Sequence, residues 1–167
     1  MKYTITPRNQ FIALKAIILV FLLLALLYKY GKYSNGDLEF YSIFFLIFLI
    51  PVLYLHIEYY YFNKGTTLDV DLLQNKLVYY SKSGEIKTIR FDELKEIVYY
   101  MAPSWHRTIK MKMAPWEHYH YAIILTKDGE KIIITSLMVP NVEKALSEIK
   151  GVPTEIKNRI MPIIAIH

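Results

Sequence analysis

The sequence predicts an α+β protein in which two transmembrane helices near the N-terminus precede a small antiparallel β domain closed by one helix. Three observations lead to this prediction. Two long apolar stretches come first, short alternating segments separated by turn residues follow them, and one amphipathic segment comes after the last of these. Strands in a run followed by a helix are typical of α+β folds. The predicted division is a helical hairpin over residues 1–63, a β domain over 64–152 and a tail over 153–167.

The first apolar stretch, Phe11–Tyr28, is long enough to cross a bilayer. Its 18 residues would span about 27 Å as a helix, against a hydrocarbon core of about 30 Å. Its one charged residue, Lys15, lies near the N-terminal end, from which its ammonium can reach the headgroups. A signal peptide is the competing interpretation, but no small-residue cleavage site follows Tyr28.

The second apolar stretch, Phe40–His56, is nearly as long as the first. Pro51 lies inside it, and in lipid an interior proline kinks a helix more often than it ends one. The connection Lys29–Glu39 is short and contains Gly, Ser, Asn and Asp, which are typical of turns. The two spans therefore form a hairpin, with both chain termini on one side of the membrane.

The distribution of basic residues predicts which side that is. Lys2, Arg8, Lys15, Lys64 and Lys76 flank the ends of the hairpin, whereas Lys29 and Lys32 lie in its connection. Because basic residues are enriched on the cytoplasmic side, we expect a multi-pass protein of the cell (inner) membrane with both termini in the cytoplasm.

The period of the sequence changes from helical to alternating after residue 65. Six segments are rich in β-branched and aromatic residues, and turn residues separate them, including Asp128-Gly129 in a clear hairpin. The predicted strands are Thr66–Leu72, Lys76–Ser81, Ile86–Phe91, Lys95–Met101, Tyr119–Thr126 and Lys131–Leu137.

A single amphipathic helix is predicted over Pro140–Lys150, capped by Asn141 and stopped at Gly151. The tail Glu155–His167 begins like a short helix and ends apolar. Three roles remain open for this tail: packing back on the sheet, contacting the membrane, or binding another chain.

These features together resemble the bacterial pleckstrin-homology-like (PH-like) membrane proteins. The resemblance is carried by the closely spaced strands, the step Arg90-Phe91-Asp92-Glu93-Leu94-Lys95-Glu96-Ile97, the late Lys-Asp-Gly hairpin and the closing helix. It extends from Phe11 to Lys150, since many such proteins carry two transmembrane helices before the domain. It implies a PH-like sheet or barrel, a binding or scaffolding role, and no catalytic residues. The segment 102–118 departs from the pattern because it is longer than a usual strand connection.

Composition and motifs exclude several functions. The chain has no cysteine, so disulfides, thiolate zinc sites and cysteine nucleophiles are excluded. The net charge of +5 is not concentrated in a basic stripe, which argues against nucleic-acid binding. The sequence contains no Gly-x-Ser-x-Gly, P-loop or dinucleotide fingerprint, and we expect no cofactor.

The most unusual segment is Met101–Trp116, in which Met-Ala-Pro occurs twice, each time close to a tryptophan. Apolar and basic residues alternate between the two copies, which predicts an extended segment with one apolar and one basic face. The candidate residues for binding a partner or lipid headgroups are Trp105, His106, Arg107, Lys110, Lys112 and Trp116. The alternative is a long hairpin whose Met and Trp fill the core while the lysines stay in water.

His118 and His120 are weak candidates for a metal site. Residues i and i+2 share a face on a strand, so two imidazoles there could ligate one ion. Tyr119 and Tyr121 interleave with them, which favours a pair of structural histidines.

The sequence leaves two candidate functions open. The first is a non-enzymatic, membrane-anchored PH-like module that recognises a protein partner or lipid headgroups at the cytoplasmic face. The alternative is a membrane-resident immunity protein that neutralises a cognate toxin, since a small two-span protein with a compact domain suits that role.

Overall fold

The computed structural model describes residues 1–31, 35–103 and 114–164, and these residues form an α+β fold. In chain order the helices and strands are β1 (Lys2–Thr4), α1 (Pro7–Tyr30), α2 (Asn35–Asn63), β2 (Thr67–Asp71), β3 (Lys76–Tyr80), β4 (Ile86–Arg90), β5 (Leu94–Met101), β6 (Tyr121–Thr126), β7 (Lys131–Thr135), α3 (Val142–Leu146) and β8 (Thr154–Asn158). The short 3-10 helices Phe91–Glu93 and Pro115–His118 precede β5 and β6.

Helix α1 begins with an ordinary N-terminal cap. The Thr6 side chain accepts a hydrogen bond from the backbone N–H of Asn9 at 3.2 Å, and Pro7 occupies the first turn, where no N–H is needed. Helix α1 is bent: its two parts, Pro7–Lys15 and Ile17–Tyr30, form an angle of 50°.

Helix α2 continues through Pro51. Its Glu39–Asn63 part is long and apolar enough to cross a membrane, and only 11 % of its most apolar 18 residues are buried within the protein. Helix α1 meets the same criteria only if its two parts are counted together as one span. The described residues therefore contain one candidate span, or two with the bent helix, and the transmembrane pair stays a prediction.

The strands form two four-stranded sheets, with orders β1-β2-β3-β4 and β7-β6-β5-β8. All neighbours are antiparallel except β8, which runs parallel to β5. Strand β1 precedes both helices in the chain, yet it pairs with β2, with Lys2 opposite Asp69. The helices are thus inserted between two adjacent strands, and the N-terminus lies at the domain end of the helix pair.

The structure reproduces the six predicted strands with small changes at their ends. It corrects the prediction for the tail, whose beginning is the strand β8 and not a short helix. The reason lies in pairing, because the Pro153 carbonyl accepts a hydrogen bond from Ile97 N–H at 2.9 Å and starts the parallel ladder with β5. The closing helix is shorter than predicted, although Asn141 caps it by accepting from Lys144 N–H.

Apolar side chains collect in two places. The first, which we call the interior core, lies between the two sheets and α3 and contains residues such as Leu68, Leu77, Ile97, Ile124 and Leu146. The second, the junction core, lies where α1 and α2 meet the second sheet; its buried members are Ala13, Ile17, Val52, Leu55, Tyr59, Tyr119, Tyr121, Leu137 and Ile164. The helix pair and the β domain therefore share a continuous packed contact.

Candidate functional site

Helix α2 joins the domain through its last residue and not through a flexible linker. The Asn63 side chain is fully buried, and its amide nitrogen donates to the Ile133 carbonyl at 2.7 Å while its amide oxygen accepts from Thr135 N–H at 3.0 Å. One amide thus satisfies two backbone groups on the edge of β7, as a neighbouring strand would. These two bonds fix the direction in which α2 leaves the sheet.

Three tyrosines fill the junction core above this point. The Tyr59 ring lies edge-on to Tyr119 and Tyr121, with ring centroids 5.5 Å and 6.0 Å away. Edge-to-face contacts of this kind are favourable for aromatic rings. Burial raises the pKa of both Tyr119 and Tyr121, so both hydroxyls remain protonated and can donate hydrogen bonds.

The C-terminal segment is held by these polar groups. The Tyr59 hydroxyl donates to the Pro162 carbonyl at 2.7 Å, and the Tyr121 hydroxyl donates to the Ile163 carbonyl at 3.1 Å. The Ile164 N–H donates to the Glu58 carboxylate at 3.0 Å. Of the three roles left open for the tail, the described part therefore packs back on the protein, against α2 and the second sheet.

Beside the tail, a groove of about 270 Å³ runs over the outer face of the second sheet. Apolar side chains of β5, β6 and β7 lie on this face, and the end of α2 and the tail close one side. The lining residues are Phe62, Glu96, Val98, Tyr100, Tyr121, Ile123, Leu125, Lys131, Ile133, Lys157, Arg159 and Ile164. Three of them are basic and one is acidic, so the groove combines an apolar surface with a basic rim.

The rim is organised around Tyr100. Its ring stacks on Tyr121 with centroids 4.6 Å apart and planes 8° from parallel. The Arg159 guanidinium lies 4.8 Å from the Tyr100 ring centroid and the Lys157 ammonium 6.0 Å from it. The Lys157 ammonium also pairs with the Glu155 carboxylate at 3.2 Å, so Lys131 and the Arg159 guanidinium contribute the positive charge of the rim that no carboxylate pairs among the described residues. The groove therefore suits an amphipathic ligand that carries negative charge.

The groove was missed by sequence reasoning, although a signal was present. Strands β6 and β7 are apolar at successive positions instead of alternating. Both chain neighbours of Ile123 in β6 are apolar, and so are both neighbours of Ile133 in β7. Strands that are apolar on both faces are usually covered on both faces. That pattern indicates contact on the outer face of this sheet, and α2, the tail and the groove share that face.

The candidate residues of the segment 101–116 have different outcomes. Trp105, His106, Arg107, Lys110 and Lys112 lie outside the described residues. Trp116 lies in the 3-10 helix Pro115–His118, and its ring stacks on Phe48 of α2 with centroids 5.7 Å apart and planes 13° from parallel. Sequence reasoning identified this tryptophan but not its contact with the helix pair.

The two histidines do not share the face of a strand. His118 ends the 3-10 helix, whereas His120 is buried and accepts a hydrogen bond from the Val142 N–H at 3.3 Å, at the beginning of α3. Among the described residues no group of three or more His, Asp or Glu side chains could hold a metal ion. The geometry gives His120 a structural role in positioning α3.

A wider cleft of about 600 Å³ lies between β4 and the β6–β7 turn. Its carboxylates have local partners: Glu130 pairs with Lys87, Asp128 accepts from the Thr126 hydroxyl, Glu93 accepts from Arg90 N–H, and Asp92 pairs with the Arg90 guanidinium. These contacts tie the turns at this end of the sheets together, so their charges stabilise the turns.

Comparison with known families fits this architecture. A PH domain family model matches residues 2–145 of the chain. The chain belongs to the PH domain family. The match begins in β1 and includes both helices, so the inserted hairpin lies within the family region. PH domains are generally non-enzymatic modules that bind proteins or lipid headgroups. No curated protein and no solved structure matches the chain.

Proposed function

We propose that this PH domain protein is a membrane-anchored, non-enzymatic binding module. Helices α1 and α2 cross the cell membrane, and the β domain recognises a protein partner or lipid headgroups at the cytoplasmic face. The observation that carries the proposal is the outward surface of α2.

That surface is a continuous apolar stripe. Its large side chains recur every three or four residues, and each is more than half exposed: Ile43, Ile47, Ile50, Tyr54, Ile57 and Tyr61. A helix rises about 1.5 Å per residue, so the stripe is about 27 Å long. Soluble proteins rarely leave such a surface in water, whereas lipid covers it at no cost.

The position of the N-terminus supports the proposed orientation. Because β1 belongs to the same sheet as β2, the N-terminal ammonium, which donates to the Val70 carbonyl at 2.6 Å, lies at the domain end of the helices. The basic residues Lys2, Lys64 and Lys82 lie at this end too, within 6 Å of tyrosine ring centroids. Tyrosines mark both interfaces of a span, and Lys29 lies over Tyr30 at the other end, so the support for a cytoplasmic domain comes from the larger number of lysines at this end.

Fractionation tests the anchor. We expect the full-length protein to stay in the membrane pellet after an alkaline wash and to be released by detergent. Ile47→Arg places a charge in the stripe, at a cost of about 2.5–3.5 kcal/mol in a span, and should reduce the pelleted fraction. Leu73→Arg is the matched control, because Leu73 is 96 % exposed in the β2–β3 turn. Wild-type protein in the supernatant without detergent would contradict the anchor.

Affinity purification from detergent tests the binding surface. We expect Lys131→Glu/Lys157→Glu in the groove, or Arg107→Glu/Lys110→Glu/Lys112→Glu in the predicted basic segment, to lose a co-purifying protein or anionic phospholipid. The control is Lys95→Glu/Lys127→Glu/Lys150→Glu, which reverses three exposed charges outside both regions. Recovery of the same proteins and lipids with all variants would rule out both surfaces.

A further inference from the structure

Strand β8 leaves one edge of the second sheet open. All residues of Thr154–Asn158 are exposed, and the strand pairs with β5 on one side only. At its two ends, the Pro153 carbonyl accepts from Ile97 N–H, and the Arg159 N–H donates to the Met101 carbonyl, both at 2.9 Å. The residues just before and just after β8 therefore direct their backbone groups at β5.

The alternation of a strand decides which backbone groups of β8 are free. Successive residues direct their N–H and C=O groups to opposite sides. Glu155 and Lys157 therefore bond β5, whereas Thr154, Ile156 and Asn158 direct theirs away from the sheet. In the described part of the chain these three residues have no other backbone partner. Strand β8 can therefore accept one further strand along its whole length.

The sequence of this edge is complementary to itself. In an antiparallel pair centred on Ile156, that residue faces Ile156 of a second copy, and Thr154 faces its Asn158. These are the residues with outward backbone groups, so each N–H meets a C=O. Glu155 then faces Lys157 of the second copy at a position without backbone bonds, where side chains approach most closely. Because Glu155 and Lys157 of one chain already pair at 3.2 Å, the four charges form a network of alternating sign.

The other edges of the two sheets lack this complementarity among the described residues. The edge of β7 is bonded by the Asn63 side chain, and β1 has only three residues. Strand β4 carries Lys87 and Arg90 and no acidic residue, so pairing with itself would bring no opposite charges together. Helix α2 contacts β7, at the far side of the second sheet from β8. The edge suited to a second copy is therefore also clear of that helix.

We propose that the protein forms a symmetric homodimer through antiparallel pairing of β8 with β8 of a second copy. The pairing joins two four-stranded sheets into one continuous sheet. Its two-fold axis is perpendicular to the sheet, so the outer faces, on which α2 packs, are directed to the same side. Strand β8 lies beyond the residues 2–145 that match the PH domain family, so the dimer uses an element outside the family region.

Charge reversal tests the dimer without depending on the membrane anchor. Light scattering during size exclusion measures the mass of the full-length protein in mild detergent, and we expect two chains per particle. Glu155→Lys places two lysines opposite each other twice in the dimer, and should weaken dimerisation about tenfold. Glu155→Lys/Lys157→Glu restores opposite charges and should restore the dimer. Glu148→Lys is the control, because it makes the same charge change at an exposed residue outside β8.

Two results of this experiment would overturn the inference. A monomeric wild-type protein at every concentration would leave the β8 edge to an extended segment of another protein. A dimer that Glu155→Lys does not weaken would be formed through another surface. Since Glu155 does not line the groove on the second sheet, loss of the dimer in Glu155→Lys is distinct from a change in that lining.

Disulfide cross-linking tests the register of the pair, because the chain has no cysteine of its own. The two Ile156 Cα atoms of the dimer should lie about 5.5 Å apart, within the range of about 4.4–6.8 Å that a disulfide bridges. Thr154 lies on the same strand and face, but its two copies should be about 14 Å apart. Mild oxidation in liposomes should therefore cross-link Ile156→Cys and leave Thr154→Cys mostly monomeric. Equal cross-linking of the two variants would contradict the proposed pairing.

Discussion

The interior core and the junction core are both well packed, but they differ in how their buried polar side chains are hydrogen-bonded. Between the sheets, the Tyr99 hydroxyl is buried and has no hydrogen-bond partner among the described residues. At the junction, Asn63, Tyr59 and Tyr121 each bond a backbone group of another element. Apart from the His120 bond to Val142 N–H, the interior described above is thus held by apolar contact, which has no direction, whereas the junction adds several hydrogen bonds, which do. The angle between helices and sheet is therefore specified by a few polar side chains.

The largest effect should come from removing the amide at the junction. Asn63→Ala leaves a carbonyl and an N–H of the β7 edge without partners, which we expect to destabilise the protein by about 2–4 kcal/mol. Thermal unfolding followed by circular dichroism in detergent measures the loss. Asn9→Ala is the matched control, because Asn9 makes one partly buried bond to the Met138 carbonyl and should cost about 1 kcal/mol. Equal losses would mean that Asn63 does not fix the junction.

Tyr59→Phe should have the next largest effect. It removes one buried hydroxyl and leaves the Pro162 carbonyl unpaired, at a cost of about 1–3 kcal/mol. Because that bond holds the tail, carboxypeptidase should also remove the C-terminal residues faster. Unchanged digestion together with unchanged stability would show that the tail is held by other contacts.

Tyr99→Phe is the same chemical change in the interior core, with the opposite expectation. The hydroxyl has no partner to lose within residues 1–31, 35–103 and 114–164, so the variant should be equally stable or up to about 1 kcal/mol more stable. Burial and the nearby Glu143 carboxylate raise the pKa of Tyr99 to about 12, and the variant should therefore lack one late step in the alkaline absorbance titration. A loss of stability as large as that of Tyr59→Phe would contradict the proposed difference between the two cores.

The smallest effect should lie outside both cores, at the β6–β7 turn. The Thr126 hydroxyl donates to Asp128 and lowers the pKa of that carboxyl below its usual 3.8. A lowered pKa in the folded state adds stability above the unfolded value, and this is lost as the pH falls through the folded pKa. Asp128→Asn should therefore lose a little stability at neutral pH and show less further loss in acid. An identical acid profile for both proteins would exclude this contribution.

Local patterns were sufficient for the elements whose partners are close in sequence. The strands of the β2–β3–β4 meander and the β6–β7 hairpin were predicted because alternation and turn residues specify them. Strand β1 was missed because three residues carry no periodicity, and its partner β2 follows only after both helices. Strand β8 was missed because its parallel pairing with β5 leaves no turn signal, and all its residues are exposed.

In the candidate site, too, sequence patterns predicted single residues but not contacts between residues far apart in the chain. Trp116 was identified from composition, but its contact with Phe48 joins positions far apart in the chain. Asn63 gave no signal, because an asparagine at the end of an apolar helix is common and its two partners belong to an edge strand. Polar residues that connect distant elements depend on the tertiary arrangement, which periodicity does not report.

Because β1 and β2 flank the helix pair in the chain, the proposed membrane anchor allows the first sheet to be completed only if both ends of that pair emerge on the same side of the bilayer. A chain whose first helix inserted in the wrong direction would carry Lys2–Thr4 to the opposite side. The edge of β2 would then be left open, and open edges invite aggregation and proteolysis. In the proposed anchored protein, pairing of a three-residue strand would thus make folding of the domain depend on correct insertion of the helix pair.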